Sequence, residues 1–336
     1  MRAILQHQYG SVDRLGLEEI EPPAAGDHEV LVRVRAASLH PDVWHVVRGE
    51  PRILRIMGAG LLRPKRRIPG TDLSGVVEAV APGVTRFRPG DDVFGKTVGA
   101  NSWRNGGAFA EYASVREDRL ELKPANLGFE QAAASPDSGM IAIQGIRDEG
   151  RLRAGQRVLI NGAGGGVGTF AVQVSKALGA SEVTAVDVAE KHEMLRSIGA
   201  DHVIDPLVED FSGIGERYDL ILDIPGNHPF SKVRRALTAE GTYVLIGHDA
   251  YGRYDRRWIG SMGRFLKLLV LSPFVRQLPG LRAAVDPGDR LRVLKGFLEA
   301  GTVTPVIDRT FPLSEVPGAI RYLEGGLVRG KVVITI

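Results

Sequence analysis

Cysteine is absent from this 336-residue sequence. That excludes disulfides, thiolate nucleophiles and cysteine-ligated zinc in one step, and it fits a reducing compartment. Long apolar runs are absent too. The most apolar stretch, Phe265 to Val275, is interrupted by Lys267, Ser272 and Pro273 and is too short to span a bilayer. The opening residues, Met1 to His7, run quickly into charge and lack the apolar core of a signal peptide. No charge of one sign dominates: 43 Lys and Arg stand against 40 Asp and Glu, a formal net charge of +3. So small and scattered an excess points to no nucleic-acid partner. The one dense basic run, Arg63-Pro64-Lys65-Arg66-Arg67, reads as a solvated loop, with an anion site as the alternative. The expectation is a cytoplasmic protein with no integral-membrane segment.

What is present is ordinary for a globular chain, at 43% hydrophobic and 25% charged residues. Its length exceeds what one core usually supports, so two domains are expected. The first third reads as short strands punctuated by Gly and Pro. Examples are Val30 to Arg35, Gly75 to Val80 before Pro82-Gly83, and Asp92 to Gly95 after Pro89-Gly90. That spacing suggests a small barrel or coiled sheet. From Val158 the pattern becomes strand, turn and helix repeated: Val158–Ile160, Val183–Val186, Val203–Ile204, Leu220–Leu222 and Tyr243–Ile246, with helical material between. Such βαβ units build a parallel sheet covered on both faces. A helix over Asp289 to Ala300 follows. The closing run Lys331 to Ile336 needs a partner strand, and the N-terminal sheet is the natural one. The first domain is therefore expected to be discontinuous, 1–125 completed by 286–336, with 126–285 inserted.

The most informative feature is the turn Gly162-Ala163-Gly164-Gly165-Gly166-Val167-Gly168. It lies between the buried strand Val158–Ile160 and a helix whose Val167, Phe170, Ala171, Val174 and Leu178 share a face. Glycines at 162 and 165 allow a tight turn and close backbone approach to a pyrophosphate, and Gly168 allows close helix–strand packing. The helix N-terminus supplies amide donors to the anion. Asp187 ends the next strand about twenty residues beyond Gly168, where an acid reaches the adenosine ribose hydroxyls. A carboxylate there, with Glu190 beside it, disfavours a 2′-phosphate and so favours NADH over NADPH. Lys191 and His192 oppose that preference, and a plain helix cap is the alternative role for Asp187.

Several motifs in order give a resemblance covering nearly the whole chain. They are Ile68-Pro-Gly-Thr-Asp-Leu-Ser-Gly-Val-Val77, Phe87-Arg-Pro-Gly-Asp-Asp-Val-Phe94, Gly107-Ala-Phe-Ala-Glu-Tyr112, Val158 to Gly168, Ile198-Gly-Ala-Asp-His-Val-Ile-Asp205, Tyr218-Asp-Leu-Ile-Leu-Asp223 and Gly330-Lys-Val-Val-Ile334. With these the chain resembles the medium-chain dehydrogenase/reductase superfamily, in its zinc-independent quinone-oxidoreductase-like branch. The resemblance implies an α/β protein: a Rossmann doubly wound parallel sheet inserted in a GroES-like β-rich catalytic domain. It also implies NAD(P)H as cofactor and a homodimer, and it adds Gly247 and Lys331 to the residues expected at the cofactor.

Zinc alcohol dehydrogenases of the superfamily hold their metal with Cys, a His-Glu pair and a further Cys or Asp. Those positions fall on His40, Thr71-Asp72 and the neighbourhood of Asp137 or Ser138, and the four-cysteine structural lobe is missing. No zinc is expected, with His40, Asp72 and Asp137 left as an alternative non-cysteine set. The branch's usual Asn-Pro-x-Asp reads His40-Pro41-Asp42-Val43 here.

Without a Lewis acid, hydride delivery to an already activated quinone or α,β-unsaturated carbonyl is the easier reaction. Hydrogen-bond donors can hold the charge that develops on its oxygen. His40, Trp44, His45 and Thr71 are the candidate donors, His40 first. The partner expected is a small hydrophobic carbonyl or quinone. An alcohol or aldehyde dehydrogenase with a non-cysteine metal site, or a non-catalytic NAD(P)H-binding protein, are the competing readings. Ser261 to Arg282, apolar with basic flanks, is open to three roles: dimer edge, substrate wall or membrane-surface contact.

Overall fold

The computed structural model describes residues 1–99, 104–247, 258, 260, 262–279 and 287–336. Strands β1 (Arg2–Leu5) and β2 (Gly16–Glu19) form an antiparallel pair. After them come β3 (Glu29–Leu39), α1 (Pro41–Arg48), β4 (Asp72–Val80), β5 (Asp92–Lys96), β6 (Tyr112–Arg116) and β7 (Leu120–Leu122). Helices α2 (Phe129–Ala134) and α3 (Pro136–Ile143) lead to β8 (Arg157–Asn161), α4 (Gly166–Ala177), β9 (Glu182–Val186), α5 (His192–Ser197) and β10 (His202–Ile204). Next are β11 (Tyr218–Asp223), α6 (Phe230–Val233), β12 (Leu237–Leu245) and α7 (Met262–Leu271). The chain closes with α8 (Pro287–Glu299), β13 (Ile307–Pro312), α9 (Val316–Glu324) and β14 (Lys331–Thr335).

Two compact units result. The first comprises Met1–Asp137, Asp286–Glu299 and Pro305–Ile336; the second comprises Ser138–Val285 and Ala300–Thr304. The first is built on a seven-stranded sheet in the order β13-β14-β3-β4-β5-β7, with β6 also on β3. β3 is its spine, pairing antiparallel with β4, β6 and β14. Along β3 the alternation of a half-buried strand (Val30, Val32 and Val34 inside) gives way to full burial from Ala36 to Leu39, where β14 joins it. As expected, the closing run pairs with the N-terminal sheet. Two boundaries differ from the sequence reading, one of them at residues 300–304, which fall with the second unit. Ala133 and Ala134 of α2 pack on Ala36 and Val333, so residues 126–137 belong with the first unit. Their small side chains let helix and sheet approach closely, which a helical pattern alone does not reveal.

The second unit is a parallel five-stranded sheet in the order β10-β9-β8-β11-β12. This is the Rossmann order, and the crossover direction reverses at β8, so a ligand crevice lies beyond the carboxyl ends of β8 and its neighbours. Helix α4 is buried continuously from Gly168 to Ser175, more completely than its one-faced pattern predicts. In α7 and just beyond, Phe265, Leu268, Leu271 and Val275 rest on a core containing Tyr243 and Leu245, while Leu266, Val270 and Phe274 are exposed. Ser261 and Arg282, the limits of the apolar segment read from sequence, lie outside the described residues. No described helix is long and apolar enough to cross a membrane.

Candidate functional site

The glycine turn leaves β8 at Asn161 and enters α4 at Gly166. Gly162 has φ +81°, and its N–H and that of Ala163 donate to Val186 O at 2.9 and 3.1 Å, tying the turn to the end of β9. A Cβ at Gly168 would lie 2.4 Å from both the Gly162 and Ala163 carbonyl oxygens, so only glycine lets α4 seat against the turn. Over Gly165 the space is open, the nearest atom being 3.8 Å from where a Cβ would sit. No side chain caps α4, which leaves its first-turn amides, those of Gly166, Val167 and Gly168, to an anionic ligand.

Asp187 is held at this turn. Its Oδ2 accepts the Gly164 N–H at 2.7 Å and its Oδ1 accepts the Val188 N–H at 2.9 Å. The Lys191 ammonium lies 3.4 Å from Oδ1 and is almost wholly buried. The acid and the lysine named from sequence are thus one ion pair beside the turn. His192 donates from Nε2 to the Asp187 carbonyl at 2.9 Å. Gly247, at φ +66°, donates its N–H to Ile224 O at 2.9 Å, and a Cβ there would press on the Phe265 ring at 3.0 Å.

A buried network at the carboxyl ends of the strands escaped the sequence reading. Asp223, at the end of β11, accepts from Asn161 Nδ2 (2.8 Å), the Gly226 N–H (2.9 Å) and the Tyr243 hydroxyl (2.8 Å). Burial pushes its carboxyl pKa up, against the pull of these three donors. The only signal available was position: Asn161 and Asp223 each close an apolar strand with a polar residue.

The first unit carries a second cluster of candidate residues. β3 ends just before His40, and Pro41 starts α1. His40 is 3% exposed, and its Nε2 lies 2.7 Å from Thr71 Oγ1, whose hydroxyl donates to Asp72 Oδ1 at 3.2 Å. With that hydroxyl proton committed to Asp72, Thr71 accepts from Nε2–H. His40 Nδ1 makes no hydrogen bond among the described residues; it lies 3.7 Å from Asp137 Oδ2 and 3.9 Å from Asp42 Oδ2. His45 is engaged elsewhere, its Nδ1 donating to Glu50 O at 2.8 Å, past the end of α1. Trp44 packs edge-on against the His45 ring at 4.9 Å, with the Arg48 guanidinium over its face at 5.6 Å. His40 and Thr71 are therefore joined directly, while Trp44 and His45 consolidate α1.

Two lysines share this interior. Lys96, at the end of β5, bonds Asp137 through its ammonium. Burial by itself lowers the Lys96 pKa, but the Asp137 and Asp72 charges outweigh it and hold the ammonium above its ordinary value. Asp137 is driven well below the carboxylate range: burial opposes this, and the Lys96 charge overcomes it. Lys331, named from sequence as a cofactor contact, is 2% exposed and sits within the field of Asp72 and Asp137. Burial lowers its pKa, and those two charges offset the drop in part.

His40, Asp72 and Asp137 each offer a ligand-type atom within 4.8 Å of the others, the geometry of a metal centre. The donor set argues against one. Asp137 Oδ1 is taken by the Lys96 ammonium, and Asp72 Oδ2 by the Asp137 N–H at 3.1 Å and the Ser38 hydroxyl at 3.4 Å. Asp72 Oδ1 holds Thr71. A dication would have to displace these donors beside two buried lysine side chains. Zinc at this set would have to overcome that cost.

Comparison with known proteins agrees with both units. Residues 26–125 match the family model described as alcohol dehydrogenase GroES-like domain, and residues 198–334 match zinc-binding dehydrogenase. The chain is 33% identical to 2-methylene-furan-3-one reductase of Solanum lycopersicum, over 99% of this chain and 79% of the relative. It is 33% identical to the chloroplastic NADPH-dependent alkenal/one oxidoreductase of Arabidopsis thaliana, over 99% and 79%. Among solved structures, the quinone oxidoreductase from Coxiella burnetii superposes with a TM-score of 0.83 at 28% identity, covering 100% of this chain and 99% of that one. With its GroES-like first unit, its Rossmann second unit and these relatives, the chain belongs to the medium-chain dehydrogenase/reductase superfamily, in its quinone-oxidoreductase-like branch.

Proposed function

We propose that the protein is an NAD(P)H-dependent oxidoreductase that transfers hydride to a small hydrophobic quinone or α,β-unsaturated carbonyl without a metal. The observation that carries the metal-free reading is the Lys96 ammonium on Asp137, where a Lewis acid would need an open carboxylate. Support for the acceptor class comes from relatives named as reductases of a methylene-furanone and of alkenals and alkenones. A reduced nicotinamide dinucleotide with its pyrophosphate on the glycine turn would supply the hydride. The chain's own residues do the rest. The glycine backbone at Gly165 and the uncapped α4 amides would hold the pyrophosphate. The acceptor gains hydride at carbon and requires one proton. His40, as the imidazolium with Nε2–H on Thr71, is the proposed donor of the Nδ1 proton and is left as the neutral imidazole, with Thr71 and Asp72 orienting its ring through Nε2. Gly247 and Lys331 have structural roles that leave their contact with cofactor a proposal of lower rank.

NADH and NADPH oxidation against a panel of quinones and enals, after exhaustive chelation, tests this reading. Turnover retained after chelation is expected. Stoichiometric zinc in the purified protein, with turnover lost on its removal, would establish the alternative: an alcohol or aldehyde dehydrogenase using His40, Asp72 and Asp137.

For the choice of cofactor we propose NADH, on the charge of Asp187 beside the turn, tempered by Lys191. Asp187→Ser is expected to raise the NADPH/NADH ratio of kcat/KM on the order of tenfold, about 1.4 kcal/mol, and Lys191→Ala to lower it. Ratios unchanged in both variants would take Asp187 away from the ribose. A homodimer formed through the exposed apolar side of α7, and a cytoplasmic setting, complete the proposal. Sedimentation of wild type against Val270→Ser tests the dimer.

A further inference from the structure

The segment between α1 and β4 carries side chains that the redox chemistry does not use. From Pro51 to Thr71 there are six basic residues and no acidic one. The same stretch leaves four large apolar side chains in water: Ile56 at 76% exposure, Met57 at 44%, Leu61 at 66% and Leu62 at 86%. Arg63, Lys65, Arg66 and Arg67 are exposed and enter no ion pair among the described residues.

The backbone beneath them is tied down. Lys65 N–H donates to Ala59 O at 2.9 Å, closing a loop whose tip is Leu61-Leu62-Arg63. The Tyr9 hydroxyl donates to Gly60 O at 2.7 Å, Asn105 Nδ2 to Arg66 O at 2.8 Å, and the Gln6 N–H to Arg67 O at 2.7 Å. Gly60 has φ +117°, and a Cβ there would lie 2.2 Å from Arg63 O, so the turn requires glycine. The leucines are therefore held outward by an anchored loop.

Two adjacent exposed leucines above a collar of unpaired cations lose free energy in water. They regain it against a partner that is apolar within and anionic at its rim. We propose that this loop docks the protein on an anionic lipid bilayer surface. Leu61 and Leu62 enter the boundary between headgroups and acyl chains, with Arg63, Lys65, Arg66 and Arg67 on the phosphates. Nucleic acid shares the phosphate charge but offers the leucines no apolar layer. The inference stands on the loop alone and is independent of the redox reading.

The test is co-sedimentation of the full chain with vesicles of phosphatidylcholine, with and without phosphatidylserine. Wild type is expected to sediment with the mixed vesicles at low ionic strength, to be released by salt, and to ignore pure phosphatidylcholine. Serine at Arg63, Lys65, Arg66 and Arg67 together is expected to lower partitioning on the order of a hundredfold. Leu61→Ser and Leu62→Ser are each expected to lower it about tenfold, with NAD(P)H oxidation in solution unchanged. In Leu62→Trp, tryptophan emission should shift to shorter wavelength on mixed vesicles. Failure of wild type to sediment would overturn the proposal. So would loop variants that partition like wild type, loss of binding through Val270→Ser and Phe274→Ser instead, or duplex RNA bound as tightly by the leucine variants as by wild type.

Discussion

Lys96→Met is expected to destabilise the first unit by about 3–5 kcal/mol, read as a lower midpoint in urea or on heating. The reason is what the substitution leaves behind. Asp137 is 3% exposed and Asp72 is fully buried, and Asp72 retains the Asp137 N–H and the Thr71 and Ser38 hydroxyls as donors. Methionine fills the volume of the lysine stem but supplies no charge. Removing the ammonium therefore takes from a buried carboxylate the charge that does most to hold it ionised. The remedy identifies the cause. Lys96→Met combined with Asp137→Leu should recover most of the loss, giving a large coupling in the double-mutant cycle. Additive effects would show that the pair is incidental. A second readout separates charge from packing. With the ammonium gone, Asp137 Oδ1 loses the cation that competes with a metal, so Lys96→Met should take up Co²⁺ with visible absorption bands that wild type lacks.

His40→Ala is expected to lower kcat and kcat/KM together by about 10²- to 10⁴-fold, the range for loss of a positioned proton donor. The geometry is specific about which nitrogen matters. Thr71 engages Nε2 and is itself locked to Asp72, so the ring cannot swing without breaking both bonds. That leaves Nδ1, buried and without a hydrogen bond, as the nitrogen that the proposal assigns to proton transfer in the imidazolium form. Thr71→Val keeps the shape but removes the anchor. It should lower kcat less than His40→Ala does, with KM little changed. An unchanged kcat in His40→Ala would remove the imidazole from the chemistry and leave the proton to solvent.

Much of the fold was legible because it rests on patterns with a physical period. The five apolar segments of the second unit, and the strands around Val30–Arg35 and Gly75–Val80, all appear as strands. The glycine turn could be located because Gly168 has a steric duty that no other residue can perform. The closing run's partner followed from the need of a terminal strand for hydrogen bonds, and Val332↔Leu39 through Thr335↔Ala36 supply them. What could not be read is what depends on contacts distant in sequence. Nothing local shows that Lys96 meets Asp137 or that Tyr243 reaches Asp223. Pattern alone places helix α2 in the wrong unit for the same reason: its alanines are small for Ala36 and Val333, far from it in the chain. The duty of His45 was hidden because a backbone carbonyl five residues on leaves no mark in side-chain chemistry.

The place of β14 has a consequence for how the protein is made. It lies between β13 and β3, in the interior of the first unit's sheet, yet it is translated after the whole second unit. While the ribosome is still reading residues beyond 138, the Ala36–Leu39 edge of β3 waits without its partner strand, exposing backbone donors and acceptors. The Rossmann unit, whose five strands emerge together and pair with near neighbours, can reach its native sheet first. Lys331 likewise follows the second unit, so the carboxylates at 72 and 137 gain its charge later than that of Lys96. Completion of the first unit's sheet therefore waits on a strand translated after the second unit, and a nascent chain stalled before residue 331 would display an open sheet edge to chaperones.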